Sequence, residues 1–158
     1  MKHCNEAQLY IFGDGSERES LITLSHQLGV AHRVHFLGNI DQDKLSKILV
    51  RMNLVLSPLM GRALTEVALA GLPIVAYNID CHPELIKSYE TGILVDYLDE
   101  SAMSLAADHL FENAELAREM GLAARITALE LMDPDKLVRE QRSIFEEFFK
   151  KYKYGKNP

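Results

Sequence analysis

The segment Ser57-Pro58-Leu59-Met60-Gly61-Arg62-Ala63-Leu64-Thr65-Glu66 joins an apolar run to a helical pattern and carries groups suited to an anionic ligand. Glycine at a helix mouth leaves backbone N–H groups open, and the positive end of the helix dipole favours negative charge there. Arg62 adds a permanent cation whose planar fork matches a diphosphate. Glu66 lies one helical turn beyond Arg62, so the two share a face. A carboxylate so placed does not hold phosphate, but it can accept two hydrogen bonds from a vicinal diol such as a ribose. Each such bond to a charged group contributes roughly 1.5–3 kcal/mol. The competing reading is a surface ion pair between Arg62 and Glu66, contributing about 0.3–0.5 kcal/mol. Spacing alone leaves both open.

Other constellations are weaker. Gly13-Asp14-Gly15 precedes a helical pattern and resembles a phosphate-binding turn, but Arg18 occupies the third glycine of GxGxxG and no Gly-Lys-Ser/Thr follows. A dinucleotide or P-loop site is therefore disfavoured, and the two glycines read first as a tight strand-to-helix turn. In Asn78-Ile79-Asp80-Cys81-His82-Pro83-Glu84 a thiol adjoins an imidazole, but neighbouring positions seldom let such side chains face each other, so a Cys–His nucleophile is disfavoured. His82 reads as a loop residue near the ligand edge, and Glu84 as first-turn helix stabilisation. His3, His26, His32, His35 and His109 show no HExxH or comparable spacing, so no metal site is expected.

These groups need a scaffold, and the pattern supplies one. Leu9-Tyr10-Ile11-Phe12, Val34-His35-Phe36-Leu37, Leu54-Val55-Leu56-Ser57, Ile74-Val75-Ala76-Tyr77 and Ile93-Leu94-Val95 are short runs rich in β-branched and aromatic residues, as buried parallel strands are. Helical stretches lie between them: Glu17 to Leu28 with Leu21, Leu24 and Leu28 on one face, Gln42 to Val50, and Arg62 to Ala70. Gly29 and Gly71 stand where left-handed C-caps are wanted, and Asp41 where an N-cap is wanted. Strand spacings of about 20 residues leave room for parallel crossovers, so the fold class is α/β: a doubly wound, Rossmann-like, mostly parallel sheet with helices on both faces. After Asp96 the pattern is helical, with Ser101 to Phe111, Ala114 to about Leu131, and a last helix opening at Asp133-Pro134. That helix carries Leu137, Ile144, Phe145, Phe148, Phe149 and Tyr152 along one stripe and ends in Lys150, Lys151, Lys153 and Lys156. The stripe reads first as core packing with a solvated basic tail; the other reading is a docking surface. Ligands of such a sheet bind outside the carboxyl ends of the strands, so any site is expected from the loops beginning at Gly13, Gly38, Ser57, Asn78 and Asp96.

Composition bounds the function. The chain has 158 residues, 47% hydrophobic and 25% charged, an ordinary make-up for one globular core. A net charge of −6 disfavours a surface that tracks nucleic-acid phosphates. No run approaches the roughly 20 apolar residues of a membrane span, and Met1-Lys2-His3-Cys4 leads into no signal-peptide core. Cys4 and Cys81, without CxxC spacing, suit a reducing compartment and argue against a disulfide or zinc framework. A cytoplasmic location is expected, and the Lys150 to Lys156 tail permits peripheral contact with anionic lipid at the inner face of the membrane.

The order of segments carries a resemblance. Leu9 to Gly15, His32 to Gly38, Gly61 to Glu66 with Ala70-Gly71-Leu72-Pro73-Ile74-Val75-Ala76, Pro83-Glu84-Leu85-Ile86, and Thr91-Gly92-Ile93-Leu94-Val95 together resemble the C-terminal, nucleotide-sugar-binding domain of group 1 (family 4-type) glycosyltransferases of the GT-B fold. The resemblance implies a division into 1–132, the nucleotide-sugar-binding domain, and 133–158, a C-terminal helix and basic tail. It implies that Leu37 and Gly38 lie against the nucleobase, and that Gly61 and Arg62, with Ser57, Ala63 and Leu64 around them, hold the diphosphate. Gly13, Gly15 and His82 join the candidate lining, and Glu66 matches the second acid of the family's paired-glutamate motif, the one that grips the ribose hydroxyls. Arg62 and Glu66 are the candidate catalytic residues. Catalysis would be electrostatic, cationic and N–H groups stabilising the departing nucleoside diphosphate, with no metal and no cofactor beyond the uridine or guanosine diphosphate sugar that acts as donor.

Two departures qualify the resemblance. The motif's first acid falls eight positions before Glu66, at Pro58, and neither Leu59 nor Met60 substitutes for it. The family's domain also opens with a glycine-bearing strand followed by an Arg and a Lys that clamp the diphosphate, for which Met1 through Ala7 are too few. In the strand order 3-2-1-4-5-6 that strand is central, and its absence leaves unpaired backbone on both neighbours. The expectation is therefore an N-terminally incomplete donor-binding domain, inactive alone and prone to self-association, whose partners are the acceptor-binding domain or a second chain. Alternatives are a sugar-nucleotide epimerase of the GT-B fold, or a non-catalytic subunit completing a split transferase in polysaccharide or glycoconjugate biosynthesis.

Overall fold

A computed structural model describes residues 7–59 and 61–154; Met1 to Cys4, Met60 and Lys156, singled out above, lie outside the described residues, as does the side chain of Lys153. The elements run β1 (Leu9–Phe12), α1 (Arg18–Gln27), β2 (Val34–Gly38), α2 (Gln42–Leu49), β3 (Val55–Ser57), α3 (Arg62–Leu69), β4 (Ile74–Tyr77), α4 (His82–Leu85), β5 (Ile93–Val95), α5 (Glu100–Glu112), α6 (Ala114–Leu131) and α7 (Pro134–Tyr154). All five predicted strands form, each within a residue of its expected bounds. The capping signals act as read. Asp41 accepts a hydrogen bond from the Lys44 N–H at 2.8 Å, and Asp133 accepts from the Asp135 and Lys136 N–H groups at 2.9 and 3.2 Å. Gly29 and Gly71, with φ of +70° and +75°, end their helices in the left-handed region that glycine enters without strain. The 3-10 turn Ala31–Arg33 was not predicted, whereas the short α4 places Glu84 in a first helical turn, as read.

Every strand pairing is parallel, but the strands form two sheets, β1-β2 and β3-β4-β5. Among the described residues no strand pairing joins the two sheets. Among the described residues no strand bonds the outer edge of either. The consequence shows in burial. β4, flanked on both sides, is buried at all four residues, whereas β1 has the same apolar character and no buried residue.

The core is as uneven as the sheet. One cluster joins Leu64, Val67 and Ala68 of α3 to Ile74, Ala76, Leu85, Ile86, and Ala124 and Ala128 of α6; Leu49 of α2 adds to it. A second, on the other face, joins Val75, Tyr77 and Ile93 to Met103, Ala106, Leu110, Ala117 and Met120 of α5 and α6. The β3-β4-β5 sheet is thus covered on both faces, the doubly wound arrangement expected. Helix α6 approaches the turn after α3 backbone to backbone at Gly121. A β-carbon there would overlap the Gly71 carbonyl oxygen and stand 2.9 Å from Gly71 C and 3.0 Å from Leu72 C.

The β1-α1-β2 unit corrects one expectation. Leu21, Leu24 and Leu28, read as the packing face of α1, are 40–65% exposed, and Ser25 is the one buried residue of that helix. Periodicity identifies a face, but burial needs a surface against it, and a two-stranded sheet offers little. The α7 stripe read first as core packing is likewise exposed, its apolar residues from Leu137 to Tyr152 at 44–68%. Phe148 stacks on Tyr152 with ring centroids 4.3 Å apart, so the stripe is organised along the helix while facing outward.

Candidate functional site

Parallel pairing puts the carboxyl ends of β3, β4 and β5 on one edge, and those of β1 and β2 on one edge of their own sheet. At the first, β3 ends in Ser57, buried, with its hydroxyl donating to the Leu59 carbonyl at 3.2 Å. That bond turns the chain sharply out of the strand. Pro58 and Leu59 are exposed and bring no carboxylate to the place of the motif's first acid.

Gly61 is the N-cap of α3. Its φ of −179° is extended backbone open to any residue, so conformation does not demand glycine here. Space is the more telling property. A β-carbon at Gly61 would meet nothing within 4 Å, and no side chain caps the helix, so its mouth is an open approach to the first-turn N–H groups. Arg62 and Ala63 stand exposed at that mouth, while Leu64 turns inward and is 3% exposed in the core. Glu66 is half-buried on the Arg62 face. The two make no ion pair with each other, so the competing surface pair does not form.

At the other edge the first two loops are tied together by the Gly13 N–H, which donates to the Gly38 carbonyl at 2.8 Å. Both glycines have positive φ, +107° and +64°, so here the residue type is dictated by the backbone. Gly15 and Leu37 are exposed beside them. The Arg18 guanidinium lies 6.0 Å from the centroid of the Phe36 ring, covering the β2 end from the start of α1. The candidate lining thus falls into two groups, Gly13, Gly15, Leu37 and Gly38 on one sheet, and Ser57, Gly61 to Leu64, Glu66 and His82 on the other. Among the described residues no strand pairing joins them.

His82 departs from its sequence reading in position. It is fully buried rather than at a ligand edge, with Nδ1 2.6 Å from the Tyr77 carbonyl oxygen. Asp80, in the loop just before it, has φ +49°. Neither feature has a periodic or motif signal; only Glu84, read as first-turn stabilisation, pointed to the helix that His82 opens. Among the described residues no group of three His, Cys, Asp or Glu side chains is arranged to hold a metal ion, and no helix is long and apolar enough to cross a membrane. Two surface cavities, about 650 Å³ beside Leu69, Ile126, Leu129 and Met132 and about 510 Å³ beside His26 and His32, lie away from the strand ends. The candidate residues lie instead along the open carboxyl edges of the two sheets.

The family described as Glycosyl transferases group 1 matches residues 2–127. The chain is 30% identical over 155 residues to N-acetyl-alpha-D-glucosaminyl L-malate synthase of Bacillus anthracis, covering 96% of this chain and 40% of that protein. It is 29% identical over 130 residues to a GDP-mannose-dependent alpha-(1-6)-phosphatidylinositol monomannoside mannosyltransferase of Mycobacterium tuberculosis, covering 75% of this chain and 34% of that one. Among solved structures, Anabaena Alr3699/HepE in complex with UDP-glucose superposes with a TM-score of 0.77 at 20% identity, over 88% of this chain and 41% of that one. A point mutant of S. aureus TarM, solved with UDP among its ligands, gives a TM-score of 0.82 at 23% identity, over 91% and 30%. The fold is therefore that of the GT-B transferases, and the chain spans well under half the length of the relatives it matches.

Proposed function

The chain belongs to the group 1 glycosyltransferases, and from that membership we propose that it is the donor-binding part of an enzyme moving a sugar from a nucleoside diphosphate sugar to an acceptor. One observation carries the reading: the uncapped mouth of α3 at Gly61, with Arg62 and Glu66 on one face and not paired with each other, on the carboxyl edge of a parallel sheet. Open N–H groups and the helix dipole receive the diphosphate, and the Arg62 guanidinium adds a charge-assisted bond to it. Glu66, four residues deeper, accepts from the ribose hydroxyls and orients the nucleotide. As the sugar leaves, negative charge grows on the diphosphate, and groups already aimed at it lower the barrier. Leu37 and Gly38 would meet the base once the two sheets share one edge. Arg62 and the N–H groups supply countercharge without a metal, so chelation of divalent ions is expected to leave nucleotide binding unchanged. A cytoplasmic location, peripheral to the inner face of the membrane, is part of the same proposal.

Calorimetric titration with uridine diphosphate and guanosine diphosphate tests the assignment. Glu66→Ala is expected to weaken binding of the preferred nucleotide by at least about tenfold, the effect of losing one hydrogen bond to a charged group. Equal affinity in variant and parent would sink the Glu66 role. A second reading is favoured by Pro58: with no acid at that place, the chain serves as a binding subunit that completes a transferase in trans. Co-purification with a chain that brings a further α/β unit distinguishes it.

A further inference from the structure

His82 opens α4 and is 0% exposed, yet its ring is half satisfied. A carbonyl oxygen only accepts, so the 2.6 Å contact with the Tyr77 carbonyl fixes the proton on Nδ1, which donates. Nε2 is then a bare acceptor, buried, with no partner among the described residues. A buried imidazole left so is costly, and the bond it does make must matter to the segment it spans.

That segment is the loop 78–81. The Tyr77 carbonyl that receives the imidazole also accepts from the Ile79 N–H at 3.0 Å, and the His82 N–H returns to the Ile79 carbonyl at 3.1 Å. The Asn78 N–H meanwhile donates to the Val95 carbonyl at 2.7 Å, tying the loop to β5. Between these anchors Asp80 stands at φ +49°, a left-handed conformation that aspartate enters more readily than most non-glycine residues. The imidazole is the one side chain among these anchors. It closes the loop across its base, from the first residue of α4 to the last residue of β4.

The loop has a neighbour of interest. Ser57 is in register with Ala76, so the chain leaving β3 toward Gly61 and the chain leaving β4 toward Asp80 emerge side by side. We propose that His82 is a positioning residue: through Nδ1–H and the Tyr77 carbonyl it holds loop 78–81 in the shape that borders the Gly61–Arg62 anion site, without itself touching the nucleotide. The proposal rests on the donor-site reading above and gives His82 a role different from lining the ligand.

Two isosteric variants separate the ring nitrogens. His82→Asn keeps an amide N–H close to the Nδ1 position, and His82→Gln moves it to the Nε2 position. Nitrogen-detected NMR of the parent is expected to show the Nδ1–H tautomer; an Nε2–H tautomer overturns the proposal without any variant. Amide exchange at Ile79 is expected to stay near the parent rate in His82→Asn and to speed up about tenfold in His82→Gln, the loss of one hydrogen bond. Equal exchange in the two variants overturns it. Affinity for uridine or guanosine diphosphate, whichever the parent prefers, is expected to follow the same order, and a loosened loop with unchanged affinity also overturns it. If the parent binds neither nucleotide while tautomer and exchange behave as stated, the donor-site reading fails and the pinning of the loop stands.

Discussion

Replacing Gly121 by alanine sets two effects of opposite sign against each other. Gly121 lies in the interior of α6, where alanine is favoured over glycine by about 1 kcal/mol because it restricts the unfolded chain and shields the backbone. The contact with the turn after α3 works the other way. The new β-carbon would overlap the Gly71 carbonyl oxygen and stand 2.9 Å from Gly71 C, where ordinary contact begins near 3.4 Å. Its obstacles are backbone atoms, which have no alternative rotamer, so α6 itself must retreat by at least about 0.5 Å. A gap of that size forfeits a quarter or more of each dispersion contact along the interface, and Met120, Ala124 and Ala128 are all fully buried there. Overpacking against rigid neighbours belongs at the upper end of its usual cost, about 3 kcal/mol. The net effect is a loss of about 2 kcal/mol, or roughly 4–8 °C in melting temperature for a chain of this size. Thermal unfolding followed by circular dichroism measures it, with Gly15→Ala as control, since nothing lies within 4 Å of a β-carbon there. A melting temperature equal to or above the parent's would show that helix propensity wins and that the α3–α6 contact is softer than its distances imply. Because the Gly71–Leu72 turn directly follows α3, nucleotide affinity at Arg62 and Glu66 is expected to fall with stability.

Three other outcomes follow from burial and charge. Ile74→Ala, at a residue fully buried in the central strand, is expected to cost about 2–5 kcal/mol, read as a lower urea midpoint with an unchanged slope. The pair Phe148→Ser and Phe149→Ser removes larger side chains but half-exposed ones, so stability should change by less than about 0.5 kcal/mol at each site. Sedimentation should show less self-association, and an unchanged distribution would free the stripe of that role. Hydrogen bonds from the Lys44 side chain and N–H hold the Asp41 carboxyl below its ordinary value, and the Arg118 guanidinium does the same for Glu115. Since both folded values are depressed, their contribution to stability is complete above the unfolded carboxylate range near pH 4 and is lost as pH falls through the lower folded values. Carboxyl-carbon NMR titration checks the sign, and a midpoint at or above the ordinary value for either group refutes it.

How much of this was legible in the sequence divides along physical lines. The strands were legible because a parallel strand covered on both faces must be apolar at every position, and Ile74-Val75-Ala76-Tyr77 is apolar at every position and buried at every position. The caps were legible because Asp41, Gly29, Gly71 and Asp133 each solve a local backbone problem that involves only the nearest turn. Arg62 and Glu66 were legible as a pair because helical spacing puts them on one face, but spacing could not decide whether they would satisfy each other. Side-chain placement decides it, and they do not. His82 marks the boundary. Its partner is a backbone carbonyl at the end of a strand, and its burial depends on how α4 folds back, which neither periodicity nor motif encodes. Leu21, Leu24 and Leu28 mark the same boundary on a larger scale. Their spacing correctly specifies an apolar face of α1, but whether such a face is core or surface depends on what lies against it. The open edges of β1 and β3 say the same of the backbone. Sheet β3-β4-β5, with helices on both faces, supports α3 and the proposed anion site from within the chain. The β1-α1-β2 unit, with its leucines outward and no buried residue in β1, has little against its apolar face among the described residues, and no strand pairing there brings Leu37 and Gly38 to one edge with Arg62 and Glu66.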